Sequence, residues 1–198
     1  MTGASASGTR KKMGRTTDPK RGIDIDLAVP CASWRRALPA VAALARAAAS
    51  AALEQSGKGW VRKPISRAEL SLVLADDATV RELNARWRGK DAPTNVLAFA
   101  SDEAPQPGRR VLLGDVVLAF ETVAAEAKAQ GKSLADHLRH LVIHGVLHLL
   151  GYDHIEAAPA KRMEALETRI LASLGVADPY RPRLSPRDKQ TLSEVSHG

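Results

Sequence analysis

The stretch "HLVIHGVLHLLGYDHIE", residues 140–156, decides the reading of this chain. Its leucines, valines and isoleucine recur at helical spacing, which predicts a buried central helix over 134–150. Ser133 and Asp136 form the pattern of a capping box at its start, and Gly151 can take the left-handed conformation that ends a helix. Into this apolar pattern the chain places His140, His144 and His148, four residues apart and so on one stripe, with His154 just beyond the glycine. Neutral imidazoles on an apolar face need hydrogen-bond partners, or each costs ~1–3 kcal/mol. A metal ion removes that difficulty. Side chains four apart on a helix have Cβ atoms about 5–6 Å apart, close enough for two imidazoles to meet one ion at ~2.0–2.1 Å. The turn at Gly151 then brings His154 round as a third ligand.

The spacing H-x3-H-x5-H thus predicts one Zn2+ held by His144, His148 and His154, at the end of the central helix. An all-nitrogen donor set suits zinc, and nickel, copper or iron also accept it. Three protein ligands leave a fourth position for water, whose pKa such an ion lowers from ~15.7 to about 7. Asp153 either orients a ligand imidazole from behind or shapes the turn between Tyr152 and His154. His137 and His140 fall outside the ligand spacing and are expected to face solvent or to support the ligands.

Metzincin peptidases share this spacing but carry a glutamate general base after the first histidine. Here Gly145 occupies that position. Peptide hydrolysis needs a group to move a proton from water to the leaving amine, whereas phosphodiester cleavage depends on positioning and on neutralising phosphate charge. The missing acid counts against a peptidase and favours phosphoryl chemistry.

Outward from this helix, "GIDIDLAV" (22–29) alternates apolar and acidic residues as a half-buried strand does. A helix is expected over 34–55, a strand over 69–76 and a helix over 77–88 with Val80, Leu83 and Trp87 on one face. Further strands are expected at 94–100 and 111–120, the latter with a bulge at Gly114, then helices over 121–130 and from about Pro159 to Leu174. Four strands among helices, without strict βαβ alternation, indicate one α+β domain with a small mixed four-stranded sheet.

The 198 residues are 44% hydrophobic and 26% charged, as expected for one soluble globular domain. A lone cysteine, Cys31, rules out an internal disulfide and suits a reducing, cytoplasmic setting. "ALPAVAALARAAASAAL" (37–53) is alanine-rich and carries Arg46, so it reads as an amphipathic helix and not a membrane span. The net charge of +7 is concentrated in residues 1–21, with six basic groups against one aspartate, while 22–175 holds 19 basic and 18 acidic groups. The expected organisation is a basic, disordered arm (1–21), a hydrolase domain (22–175) and a flexible tail (176–198). The arm is either a solvated extension or a source of non-specific affinity for RNA phosphates.

Three stretches in order, "LNARWRGKDAPTNVLAF" (83–99), "LLGDVVLA" (112–119) and "HGVLHLLGYDH" (144–154), resemble the YbeY family of bacterial endoribonucleases, also called rRNA maturation factors. The resemblance covers roughly 69–156 with clear motifs. It implies a single-domain, metal-dependent hydrolase that cleaves single-stranded RNA, matures the 16S rRNA 3′ end and serves ribosome quality control. Its implied partners are 16S rRNA and the ribosome or ribosomal proteins. His144, His148 and His154 match the family's zinc ligands, and Arg88 its functionally important arginine, so Arg88 and His144 are the expected catalytic residues. A guanidinium suits that role, because it grips phosphate through two parallel hydrogen bonds. Ala98 departs from the family's usual serine, while Asn95 and Asp115 are expected to hold backbone at strand ends. Whether water or the RNA 2′-OH attacks stays open, and a non-catalytic, metal-stabilised assembly factor is the alternative.

Overall fold

A computed structural model describes residues 15–17, 22–56, 68–103, 110–152 and 157–181. Its elements, in chain order, are β1 (Arg15–Thr17), β2 (Ile23–Ala28), α1 (Ala32–Ala37), α2 (Val41–Gln55), β3 (Ala68–Ala75), α3 (Asp77–Arg88), β4 (Val96–Ala100), β5 (Val111–Ala119), α4 (Phe120–Ala129), α5 (Leu134–Leu149) and α6 (Ala157–Ser173). The architecture is α+β. The sheet order is β1-β2-β3-β5-β4, with β2, β3 and β5 mutually parallel and β1 and β4 antiparallel at the two edges. The four expected strands are all present, and Arg15–Thr17, inside the expected arm, adds a fifth along β2. The remainder of 1–21 lies outside the described residues.

Period-two patterning sorts each strand between the two sides of the sheet. Ile25 and Leu27 of β2, Leu70, Leu72 and Leu74 of β3, and Val116 and Leu118 of β5 enter a large core with α2, α5 and α6. Each fully buried leucine there contributes about 1.5–3 kcal/mol relative to exposure. The opposite side carries a small cluster of Ala75, Leu97, Val117 and Ala119, closed by Val80 of α3.

Two sequence expectations are corrected. The helix expected over 34–55 is broken, because Pro39 drives Leu38 to an extended φ −135°, ψ 90° and separates α1 from α2. Trp87, expected on the buried face of α3, is 64% exposed at the last turn of the helix. Gly114 does mark a bulge: the β3–β5 register shifts there, and a Cβ would lie 2.0 Å from the Phe99 carbonyl oxygen.

Among the described residues no helix is long and apolar enough to cross a membrane. Alanine serves packing instead. Ala45, Ala48, Ala49 and Ala52 of α2 are fully buried and let that helix lie directly against α5.

Candidate metal centre

Helix α5 begins as its sequence requires, with the Ser133 hydroxyl accepting from the Asp136 backbone N–H at 3.0 Å. Leu138, Val142, Ile143, Val146 and Leu147 bury its apolar stripe completely. The histidine stripe faces a cleft. His144 Nε2 and His148 Nε2 stand 3.1 Å apart, with ring centroids 4.5 Å apart at a steep angle.

That separation tests the metal reading. Two nitrogens bound at ~2.0–2.1 Å to one tetrahedral ion stand roughly 3.3 Å apart. The pair therefore has nearly the bite a zinc ion needs, and the residues fit the group. Gly151 has φ 84°, the left-handed conformation expected of the residue that ends the helix. His154 and Asp153 lie outside the described residues, and among the described residues no group of three His, Cys, Asp or Glu side chains is placed to hold an ion.

Gly145 answers why the peptidase glutamate is absent. A Cβ there would lie 2.6 Å from Val116 Cγ1 on β5 and 3.4 Å from Val96 Cγ2 on β4. Helix α5 thus packs tightly on the sheet at this residue, and a Cβ at position 145 would run into the Val116 side chain, where a carboxylate has no place.

The His144 ring is held from behind by Glu167 of α6. Glu167 is fully buried, and its Oε1 accepts from His144 Nδ1 at 2.8 Å. Its Oε2 accepts from His140 Nε2 at 3.2 Å and from the Tyr180 hydroxyl. Burial pushes this carboxyl up, but the hydrogen bonds from His140, His144 and Tyr180 outweigh burial and hold it at about 2. A carboxylate accepts, so Nδ1 is the donor nitrogen of His144 in this bond and Nε2 is the ring nitrogen turned toward His148. Burial, followed by the contact with Glu167, drives the Tyr180 hydroxyl far above the ordinary phenol range.

His137 and His140, expected either to face solvent or to lie behind the candidate ligands, both turn inward. His140 shares Glu167 with His144, while His137 is 3% exposed and meets Glu126 Oε2 through Nε2 at 2.8 Å. Burial lowers the His137 pKa against the opposing pull of Glu126. Glu126 also accepts from Asn95 Nδ2 at 3.1 and 3.0 Å. Asn95 holds backbone as expected, its Oδ1 accepting from Val96 N at 2.7 Å and its carbonyl from Ala119 N at 3.0 Å.

Arg88 reaches the same cleft from another element. Its Nη2 donates to the Ala98 carbonyl at 3.3 Å, and its guanidinium carbon lies 5.9 Å from the Phe99 ring centroid. A cavity of about 380 Å³ is lined by Arg88, Asn95, Ala98, His144, Gly145 and His148, among others. A second, of about 390 Å³, is lined by Glu126, His137, His140 and Tyr180 and shares Asn95, Val96 and His144 with the first. Together they make one cleft with a cation at one end and an imidazole pair in its middle.

Glu167 and Tyr180 were absent from the sequence expectations. The signal for Glu167 was legible: it interrupts the stripe Met163, Leu166, Ile170 and Leu171, where a leucine would continue the pattern. Tyr180 falls in the expected tail, 176–198. That segment begins docked, with Val176 buried and the Pro179 carbonyl accepting from Lys132 Nζ at 2.9 Å; residues 182–198 lie outside the described residues.

Fold and cleft together define an α+β protein that gathers two histidines and an arginine on one cleft. Residues 38–175 match the family model "Endoribonuclease YbeY". The curated relatives named endoribonuclease YbeY include those of Paramagnetospirillum magneticum, 57% identical over 80% of this chain and 96% of the relative, and Rhodospirillum rubrum, 50% identical over 79% and 80%. The solution structure of TM1509 from Thermotoga maritima aligns over 79% of this chain and 99% of its own, at 20% identity and a TM-score of 0.45. The chain belongs to the YbeY family.

Proposed function

We propose that this protein is a zinc-dependent endoribonuclease that cleaves single-stranded RNA in the cytoplasm, maturing the 3′ end of 16S rRNA and contributing to ribosome quality control. The observation that carries the reading is the convergence of the His144–His148 nitrogen pair, 3.1 Å apart, with Arg88 on one cleft. The names of its relatives supply the substrate class.

His144 and His148 would hold the ion, with His154 as third ligand. A divalent cation there supplies Lewis acidity and a water acidified toward neutral pH. The protein's own part is positional and electrostatic. Arg88 offers a planar, permanently charged fork to the phosphate, and its hydrogen bond to the Ala98 carbonyl aims the guanidinium along the cleft wall. Asn95, braced by Glu126, adds a rigid polar wall beside His144. Gly145 leaves no side chain to act as an acid–base group at its position, which suits a reaction driven by charge neutralisation.

The test combines metal analysis with cleavage of a single-stranded 16S rRNA 3′-end fragment by wild type, His148→Ala and Arg88→Ala. Wild type should carry about one zinc per chain and cut the RNA, and His148→Ala should lose both properties. A 2′,3′-cyclic phosphate end assigns the attack to the RNA 2′-OH, and a linear phosphate end assigns it to water. Metal-loaded wild type that leaves the RNA intact would support a non-catalytic assembly factor instead.

A further inference from the structure

A carboxylate inside an apolar stripe is disfavoured unless its lone pairs are all used. Glu167 meets that condition in a specific way. It stands on α6, fully buried, where the neighbouring stripe residues Met163, Leu166, Ile170 and Leu171 are apolar. One oxygen takes the Nδ1–H of His144 at 2.8 Å; the other takes His140 Nε2 at 3.2 Å and the Tyr180 hydroxyl. The ring of His140 in turn packs edge-on against Tyr180 at 5.6 Å between centroids.

An imidazole can turn over about its Cβ–Cγ bond and exchange the places of its two ring edges. A hydrogen bond from Nδ1 to a fixed acceptor removes that freedom. With His144 so fastened, Nε2 is the atom that comes within 3.1 Å of His148 Nε2. Tyr180 fastens the acceptor itself, and it lies just beyond α6, on the segment tied down by Lys132 through Pro179. The clamp thus joins α5, α6 and the segment after α6.

We infer that Glu167, locked in place by the Tyr180 hydroxyl, is the positioning residue of the metal centre, holding His144 with its proton on Nδ1 and its Nε2 turned to the ion. The inference rests on the reading of His144 and His148 as ligands of a divalent cation. Glu167 itself binds no ion, because both of its oxygens are taken by protein donors. Residues 176–181 thereby belong functionally to the site.

The experiment measures Zn2+ affinity of the full chain by competition with a chromogenic chelator, alongside thermal melting of the metal-free protein. Wild type, Glu167→Leu and Tyr180→Phe are compared. Glu167→Leu continues the apolar stripe and should melt close to wild type, yet bind zinc ~10–100-fold more weakly, as loss of a ligand's hydrogen-bond partner does. Tyr180→Phe should weaken zinc by about 2–10-fold, the worth of one hydrogen bond, with the metal-free melt unchanged. Long-range 1H–15N spectra of metal-free wild type should show His144 protonated on Nδ1, and Glu167→Leu should lose that signature. Wild-type affinity in Tyr180→Phe, or an Nε2-protonated His144 in wild type, overturns the inference even where Glu167→Leu fails to fold. If wild type binds zinc and both variants bind it equally, the clamp falls while the ligand reading stands. If wild type binds none, the ligand reading falls and takes the clamp with it.

Discussion

The two sides of the sheet are built differently. One is deep: α2, α5 and α6 lie over it, Trp34 is fully buried with its indole N–H donating to the Ala75 carbonyl at 2.9 Å, and its ring meets Phe120 edge-on at 5.1 Å. The other side is thin, closed mainly by Val80 of α3 over Leu97 and Val117. Its tryptophan, Trp87, is exposed, 6.4 Å from Phe99 and under the Arg86 guanidinium. The candidate ligands His144 and His148 belong to the deep side, and Arg88 comes from the thin one. The imidazole pair thus inherits the rigidity of a close-packed interior, whereas the Arg88 guanidinium hangs on a helix end that can be altered without disturbing the core.

That contrast can be broken by mutation, beginning with Trp34. Trp34→Ala should cost ~3–5 kcal/mol in chemical denaturation, because it opens a cavity and removes the indole's hydrogen bond to the Ala75 carbonyl. A cost below about 1 kcal/mol would mean that the deep side is loosely packed. Next comes Arg88→Ala. RNA cleavage should fall ~10²–10³-fold, the worth of one preorganised charge donor, while melting temperature and zinc content hold. Loss of zinc along with activity would make the arginine structural and erase the division of labour.

Gly145→Val tests the tight contact of α5 with the sheet. Overpacking against Val116 should cost ~1–3 kcal/mol and displace His144 and His148 together, so zinc affinity falls in step with stability. Unchanged affinity in a destabilised variant would uncouple the imidazole pair from the sheet.

A smaller effect concerns pH. Burial depresses the pKa of His137 in the folded chain, so the unfolded chain takes up this proton first. The contribution to stability is present above the ordinary imidazole value of ~6.5 and is lost as pH falls below it. Protonated His137 would also carry an Nδ1–H that has no acceptor among the described residues. Metal-free wild type should therefore melt lower at pH 5.5 than at 7.5, and His137→Gln should flatten the difference; parallel curves for the two proteins would remove His137 as the cause. Smallest of all, Trp87→Ala should shift stability by no more than about 0.5 kcal/mol. A larger loss would show that the thin side depends on its exposed indole.

Much of this molecule was legible along the chain. Helix α3 runs over the expected 77–88, opened by Asp76, whose side chain accepts from Thr79 N at 2.9 Å. The Ser133 cap, the bulge at Gly114 and the left-handed Gly151 are local features as well, set by residues within a few positions of one another. The break at Pro39 was equally local, since a proline restricts the residue before it, but the alanine-rich run on either side concealed it. Strand β1 offered no such signal: its three residues are placed by pairing with β2 and by no apolar period of their own.

By itself the sequence determined the helix that carries the histidines, their common stripe, and the period of each strand, because spacing and capping act between near neighbours. Tertiary structure alone decided that Glu167 meets His144 from 23 residues away, that Val116 leaves no room for a side chain at Gly145, and that Arg88 shares their cleft. These depend on how α6, the sheet and α3 pack around α5. Packing joins positions that no periodicity relates.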